Sequence, residues 1–162
     1  MSQSGNFSFL AEHSPLLAQL GQTAEQVFSA DPNTTLIKWR QLGEALAQDL
    51  AARGGVEFDE NTIQADLLYK LQREIQLEQE IRQLFHTLRI EGNRATHQFE
   101  TKHKDAMDGL KVARALAIWY HQSVSKNGAE FKAGPFIAPQ DPSIELRQLQ
   151  TQIDQLKAEL GT

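Results

Sequence analysis

Apolar residues recur at intervals of three and four along most of this sequence, which is the period of a helix and not of a strand. Ser14 and Asp141 each stand directly before a proline, a pattern typical of an N-cap and the first residue of a helix. The spacing predicts helices over about 14–29, 34–53, 61–71, 78–99 and 104–125, with a further helix after 141. The predicted fold class is all-α: a bundle of about five helices, an extended proline-containing segment and a C-terminal heptad helix.

Proline and glycine divide the chain into three parts. Residues 1–126 carry the helical bundle. Residues 127–142 contain three prolines and no helical period, which predicts an extended linker packed on the bundle. Residues 143–162 are predicted to be the start of a coiled-coil connector that is truncated. The side chains expected to hold the linker against the bundle are Phe131, Phe136 and Ile137.

The last twenty residues contain a heptad seam, a row of apolar residues at alternating spacings of three and four. About two heptads are present, which is too short for a helix that is stable alone. Two interpretations stay open: the seam pairs with a partner, including a second copy of this chain, or the helix folds back on the bundle. The heptad seam, and thus the predicted interaction site, consists of Leu146, Leu149, Ile153, Leu156 and Leu160.

Composition excludes several classes of function. The 162 residues suffice for one domain, and a net charge of −5 argues against a broad nonspecific DNA-binding surface. The absence of cysteine excludes disulfides, thiolate catalysis and cysteine-ligated zinc. No apolar run approaches the ~18 residues of a membrane span, and no secretory signal opens the chain, so the expected location is the cytoplasm. Phosphate-loop, H-E-x-x-H and G-x-S-x-G motifs are absent, so no cofactor or metal is predicted for these residues.

Three polar residues of the fourth predicted helix form a column, because Arg89, Asn93 and His97 are four residues apart. As a catalytic or RNA-binding site, Arg89 would hold a phosphate, His97 would transfer a proton and Asn93 would orient the imidazole. As a structural feature, Asn93 and His97 would be buried and bonded to the helix beginning near residue 34, with Arg89 paired to Glu44. The structural interpretation is favoured. Gly92, inside the same helix, predicts either close contact with another helix or a break.

Smaller expectations concern the other helices. Asn61 is expected to cap the third helix, and Arg40 and Glu44 to form a solvated i,i+4 pair on the second. The 104–125 helix is the most apolar and is expected at the centre of the core. Its Trp119 and Tyr120 are expected to pack in that core rather than to stack on a ligand.

Several segments, in order, resemble the N-terminal region of the R subunits of type I restriction enzymes, the HsdR family. They are DPNTTLIKWRQLGEALAQDLA at 31–51, LFHTLRIEGNRATHQF at 84–99, ARALAIWYHQSVSK at 113–126 and Phe-Ile-x-Pro at 136–139. The resemblance implies that a complete subunit carries a nuclease domain and a helicase motor, uses ATP and magnesium to translocate and cleave DNA, and works with methylation and specificity subunits. None of the family's cleavage or ATP-binding residues falls in these 162 positions.

The same region also resembles a wider helical group, the HEPN-like domains, some of which are metal-independent ribonucleases. Their motif places four to six residues between an arginine and a histidine. Here seven residues separate Arg89 from His97 and two separate Arg94 from His97, so neither pair fits. The predicted function is accessory, as a docking or regulatory part of a restriction subunit that alone neither cuts DNA nor hydrolyses ATP. The alternatives are a HEPN-like RNase or RNA-binding domain, and a coiled-coil interaction module.

Overall fold

The computed structural model describes residues 5–161, apart from the side chain of Ile144. Residues 1–4 of the predicted bundle and residue 162 of the predicted connector lie outside the described residues. The described residues form helices and no strands, which confirms the all-α fold class. Short 3-10 helices occupy Ser8–Glu12 and Gly128–Glu130. The α-helices are α1 (Pro15–Gln26), α2 (Pro32–Gly54), α3 (Gln64–Ile75), α4 (Gln79–His97), α5 (His103–Val124) and α6 (Pro142–Leu160).

Helix starts follow the polar-residue–proline pairs of the sequence. The Ser14 hydroxyl accepts a hydrogen bond from the Leu16 amide at 3.2 Å, and Pro15 is the first residue of α1. Asp141 caps α6 in the same way. The predicted cap at Asn61 is wrong. Its amide donates to the carboxylate of Asp59 at 2.8 Å in a turn, and α3 begins three residues after Asn61, without a side-chain cap.

Helix α2 packs against α1, α3, α4 and α5. Helix α5, which was expected at the centre of the core, contributes buried residues along its length and packs against α2, α4 and both 3-10 helices. Trp39 of α2 is 1% exposed, and its ring centroid lies 5.2 Å from that of Phe7. Its Nε1 donates to the Ala106 carbonyl at 3.4 Å. The apolar residues of α2 lie on several sides of the helix, so this one helix packs against four neighbouring helices.

Tyr120 of α5 is fully buried and Trp119 is half-buried, so the expected core packing is confirmed for Tyr120. The Tyr120 hydroxyl donates to the Asp49 carboxylate, which also accepts from Arg53 Nε at 2.6 Å. Burial, followed by the hydrogen bond to Asp49, raises the pKa of Tyr120 above its ordinary range. The phenol therefore stays neutral and joins the ends of α2 and α5.

The segment between α5 and α6 runs along the bundle, but its contacts differ from those expected. Phe131 packs against Phe9 at 5.0 Å between ring centroids. Phe136 is 36% exposed but contacts the bundle, because Arg114 Cζ of α5 lies over its ring at 6.0 Å from the centroid. Ile137 is 50% exposed, so the expectation that its side chain holds the segment is wrong. Hydrogen bonds to the backbone also hold the segment. The buried Asn6 donates to the Ile137 carbonyl at 2.8 Å and accepts from its amide at 2.9 Å.

The heptad seam of α6 faces solvent. Leu146, Leu149, Ile153 and Leu156 are between 45% and 60% exposed, and Leu160 is 87% exposed. The interpretation in which α6 folds back on the bundle is therefore wrong for the described residues. Within residues 5–161, no helix has both the length and the apolar character needed to cross a membrane.

Candidate functional site on the polar face of α4

One face of α4 carries Arg82, His86, Arg89 and Asn93, at spacings of four, three and four, and we call this set the α4 stripe. All four side chains are half-buried. Arg89 Nη2 lies 3.4 Å from His86 Nδ1 instead of pairing with a carboxylate, so the expected pair with Glu44 is wrong. Sequence reasoning missed His86 and Arg82, although both precede Arg89 at helical intervals.

Asn93 is held by a residue that the sequence placed in solvent. Its Oδ1 accepts a hydrogen bond from Arg40 Nη1 at 3.1 Å, which confirms the expected bond from Asn93 to the second helix. The expected solvated pair between Arg40 and Glu44 is wrong, because Arg40 is half-buried and lies over Gly92. A Cβ atom on Gly92 would come within 2.3 Å of Arg40 Cβ, so only glycine permits this approach of α2 and α4.

His97 lies apart from the rest of the predicted column. It is the last residue of α4 and is exposed, so its expected burial is wrong. His97 stands eight positions after Arg89 on the helix, which corresponds to about 12 Å along the axis. The fold thus brings Asn93 to Arg40 and Arg89 to His86, but it does not bring Arg89, Asn93 and His97 to one point. Their catalytic role stays a prediction.

The electrostatics of the α4 stripe come from its arginines. Burial lowers the pKa of His86, and the positive charges of Arg89 and Arg82 lower it further. His86 is therefore a neutral hydrogen-bonding group at neutral pH. The Nε atoms of Arg40, Arg82 and Arg89 are buried without a hydrogen-bond partner among the described residues.

An open groove of about 490 Å³ runs beside the α4 stripe, between α2, α4 and the start of α3. Its lining combines two carboxylates with one guanidinium and several amides, a composition suited to hydrogen bonding with a polar surface. The residues that line it are Glu44, Gln48, Glu60, Thr62, Ile63, Gln64, Ala65, Arg89 and Asn93. Side chains able to bind a metal come together elsewhere, where Glu12, His13 and His121 meet.

We expect His97→Ala to change the free energy of unfolding by less than about 0.5 kcal/mol, because an exposed side chain leaves no buried partner unsatisfied. Asn93→Ala is expected to cost about 1–2 kcal/mol, since it removes the acceptor of the half-buried Arg40 guanidinium. Urea unfolding followed by circular dichroism measures both. Equal losses for the two variants would contradict this assignment of structural roles.

Residues 22–133 match the family described as "Domain of unknown function (DUF4145)". This chain belongs to that family. The DUF4145 match runs from α1 to just past Phe131 and so includes the whole α4 stripe and the groove beside it. No solved structure matches the chain.

One curated relative is the type I restriction enzyme EcoKI endonuclease subunit of Escherichia coli (strain K12). It is 35% identical over 140 residues, which cover 86% of this chain. The matched part is 12% of the relative's own length. The resemblance to restriction endonuclease subunits is confirmed by this match, while the HEPN-like resemblance stays a prediction.

Proposed function

We propose that this DUF4145 chain is an accessory, docking part of a type I restriction endonuclease subunit. The observation that carries the proposal is the similarity to the EcoKI endonuclease subunit across 86% of this chain. The complete protein would use ATP and magnesium to translocate and cleave DNA in the cytoplasm, together with methylation and specificity subunits. In this chain, residues 1–126 would form the docking body, 127–142 a linker and 143–162 the start of a connector.

The groove beside the α4 stripe supports docking to protein more than binding to RNA. Glu44 and Glu60 line it beside Arg89, and carboxylates repel a phosphate backbone. A protein surface with its own amides and mixed charges is the better complement to such a lining. Arg89 and Asn93 are half-buried and already oriented by neighbours, so little side-chain freedom is lost when a partner binds.

The proposal is tested by mixing the purified chain with a restriction subunit that lacks the homologous segment, and separately with the methylation and specificity subunits. Sedimentation velocity should show binding to one of these partners. Arg89→Glu should weaken that binding tenfold or more, and Lys132→Glu, exposed and outside the groove, should leave it unchanged. Neither DNA cleavage nor ATP hydrolysis by the chain alone is expected.

Two outcomes would overturn the proposal. The first is the absence of binding to either partner at concentrations up to 100 times those used for the wild-type restriction complex. The second is cleavage of labelled RNA by the purified chain, with the activity lost in His97→Ala. That result would support the RNase alternative and give the exposed imidazole a chemical role.

A second candidate function rests on α6. Its heptad seam is exposed along four turns, and we propose that it forms a coiled coil with another copy of the chain or with the connector of the complete subunit. Burying one isoleucine contributes about 1.5–3 kcal/mol. We therefore expect Ile153→Asp to weaken self-association tenfold or more in sedimentation equilibrium.

The matched control for the α6 prediction is Thr151→Asp, which places the same charge on the opposite face of the helix. It should leave the association constant within about twofold of wild type. If the wild-type chain stays monomeric up to millimolar concentration, or if both variants associate equally, the seam does not pair with itself.

A further inference from the structure

Two histidines and a glutamate converge where the N-terminal 3-10 helix meets the end of α5. His13 Nε2 lies 2.7 Å from His121 Nδ1, although 108 residues separate them in sequence. Glu12 Oε2 lies 3.9 Å from His13 Nε2. One ligand atom from each of the three residues lies within 4.8 Å of the other two.

The surroundings of this cluster are apolar on one side and open on the other. The Phe131 ring centroid lies 4.3 Å from that of His121, Phe9 packs against the same imidazole, and the Tyr120 ring meets His13 edge-on. The side chain of His13 is 6% exposed, whereas that of Glu12 is 58% exposed. The two imidazoles therefore sit in a shielded pocket whose mouth carries the carboxylate.

Neutral imidazoles are what a metal site needs, because only an unprotonated nitrogen has a free lone pair. Without a metal, the two rings share one N–H···N hydrogen bond, in which one nitrogen donates and the other accepts.

We propose that Glu12, His13 and His121 bind one Zn²⁺ ion, with water completing a tetrahedral shell. Two imidazoles and a carboxylate are donors that zinc favours. Zinc–nitrogen bonds of about 2.0–2.1 Å place two ligand nitrogens about 3.3 Å apart in a tetrahedron, so the rings need to separate by only about 0.6 Å. The proton of the shared hydrogen bond moves to the outer nitrogen of the same ring, which leaves both inner lone pairs for the metal.

A neighbouring hydroxyl already orients the proposed carboxylate ligand. Ser125 Oγ donates to Glu12 Oε2 at 2.9 Å, an arrangement that holds a ligand in place before the metal arrives. Because Glu12 and His13 precede α1 while His121 lies near the end of α5, zinc would link the segment before α1 to the C-terminal end of α5. The role of the ion would be structural, with one coordination position left to solvent.

The test uses the full chain without a histidine tag, treated with a chelator and titrated with Zn²⁺ by calorimetry. Wild type should bind one equivalent. Affinity should fall at least a hundredfold in His13→Gln and His121→Gln and at least tenfold in Glu12→Gln. His97→Gln, the same substitution at an exposed histidine outside the cluster, should bind as wild type does. At zinc concentrations a hundredfold above Kd, Tm should rise by roughly 5–10 °C in wild type and His97→Gln only.

Glu12→Gln keeps the test decisive if a buried histidine variant fails to fold, because the Glu12 side chain is mostly exposed. Its helix content by circular dichroism should equal that of wild type while its zinc affinity falls. The proposal is overturned if wild type binds no zinc at micromolar concentration. It is also overturned if His97→Gln loses as much affinity as His13→Gln, since zinc would then bind exposed histidines without preference.

Discussion

Gly92→Ala is expected to lower the free energy of unfolding by about 2 kcal/mol, although alanine is the better helix former. The added Cβ would stand 2.3 Å from Arg40 Cβ, an atom fixed to the backbone of α2, so the two helices have to move apart. Overpacking of this kind costs about 3 kcal/mol, and the helix propensity of alanine offsets about 1 kcal/mol. Urea unfolding of the wild type and the variant measures the difference.

The control for Gly92 is Gly134→Ala, because a Cβ there meets no atom within 4 Å. Its stability should stay within about 0.5 kcal/mol of wild type. Separation of α2 from α4 should also break the hydrogen bond from Arg40 to Asn93, so Gly92→Ala and Asn93→Ala should be less than additive when combined. Wild-type stability in Gly92→Ala would show that α2 and α4 are not in close contact at this point.

Trp39→Ala is expected to cost about 3–5 kcal/mol and to lower Tm by roughly 10 °C, a larger loss than that expected for Gly92→Ala. The side chain is 1% exposed at the junction of α2, α5 and the N-terminal segment. Its loss leaves a cavity beside Phe7 and frees the Ala106 carbonyl from the indole. Thermal unfolding followed by circular dichroism measures the change.

The chain provides its own control, since it has two tryptophans and the other, Trp119, is half-buried. Trp119→Ala should cost no more than about 1–2 kcal/mol, because its side chain already touches solvent. Equal losses at the two positions would show that the burial of Trp39 contributes no more to stability than the partial burial of Trp119.

The sequence predicts what depends on neighbouring residues and misses what depends on distant ones. Ser14 and Asp141 each precede a proline, and the caps of α1 and α6 follow from that local chemistry. Arg40 looks like a solvated residue because helical spacing pairs it with Glu44. Its partner Asn93 is 53 residues away and becomes available only after α2 and α4 pack over Gly92.

The candidate sites show the same limit. The spacing of Arg89, Asn93 and His97 correctly places them on α4, and the rise per residue already puts His97 about 12 Å from Arg89. The spacing does not show that α4 ends at His97 and leaves this side chain exposed. His13 and His121 carry no local motif, because His13, adjacent to Glu12, lies 108 residues from His121. Their proximity follows from the packing of the N-terminal segment on α5, which periodicity does not specify.

The two hydrogen bonds between Asn6 and Ile137 have a mechanical effect on α6. They fasten Ile137, five residues before the start of this 19-residue helix, to Asn6 near the opposite end of the described chain. The helix is about 28 Å long, so it acts as a lever whose tip moves about 5 Å when its base tilts by about 10°. A force applied to the tip through the heptad seam would pass along residues 138–141 to Ile137 and from there to Asn6, 131 residues earlier in the sequence. The segment around Asn6 and the segment around Ile137 thus respond to such a pull together.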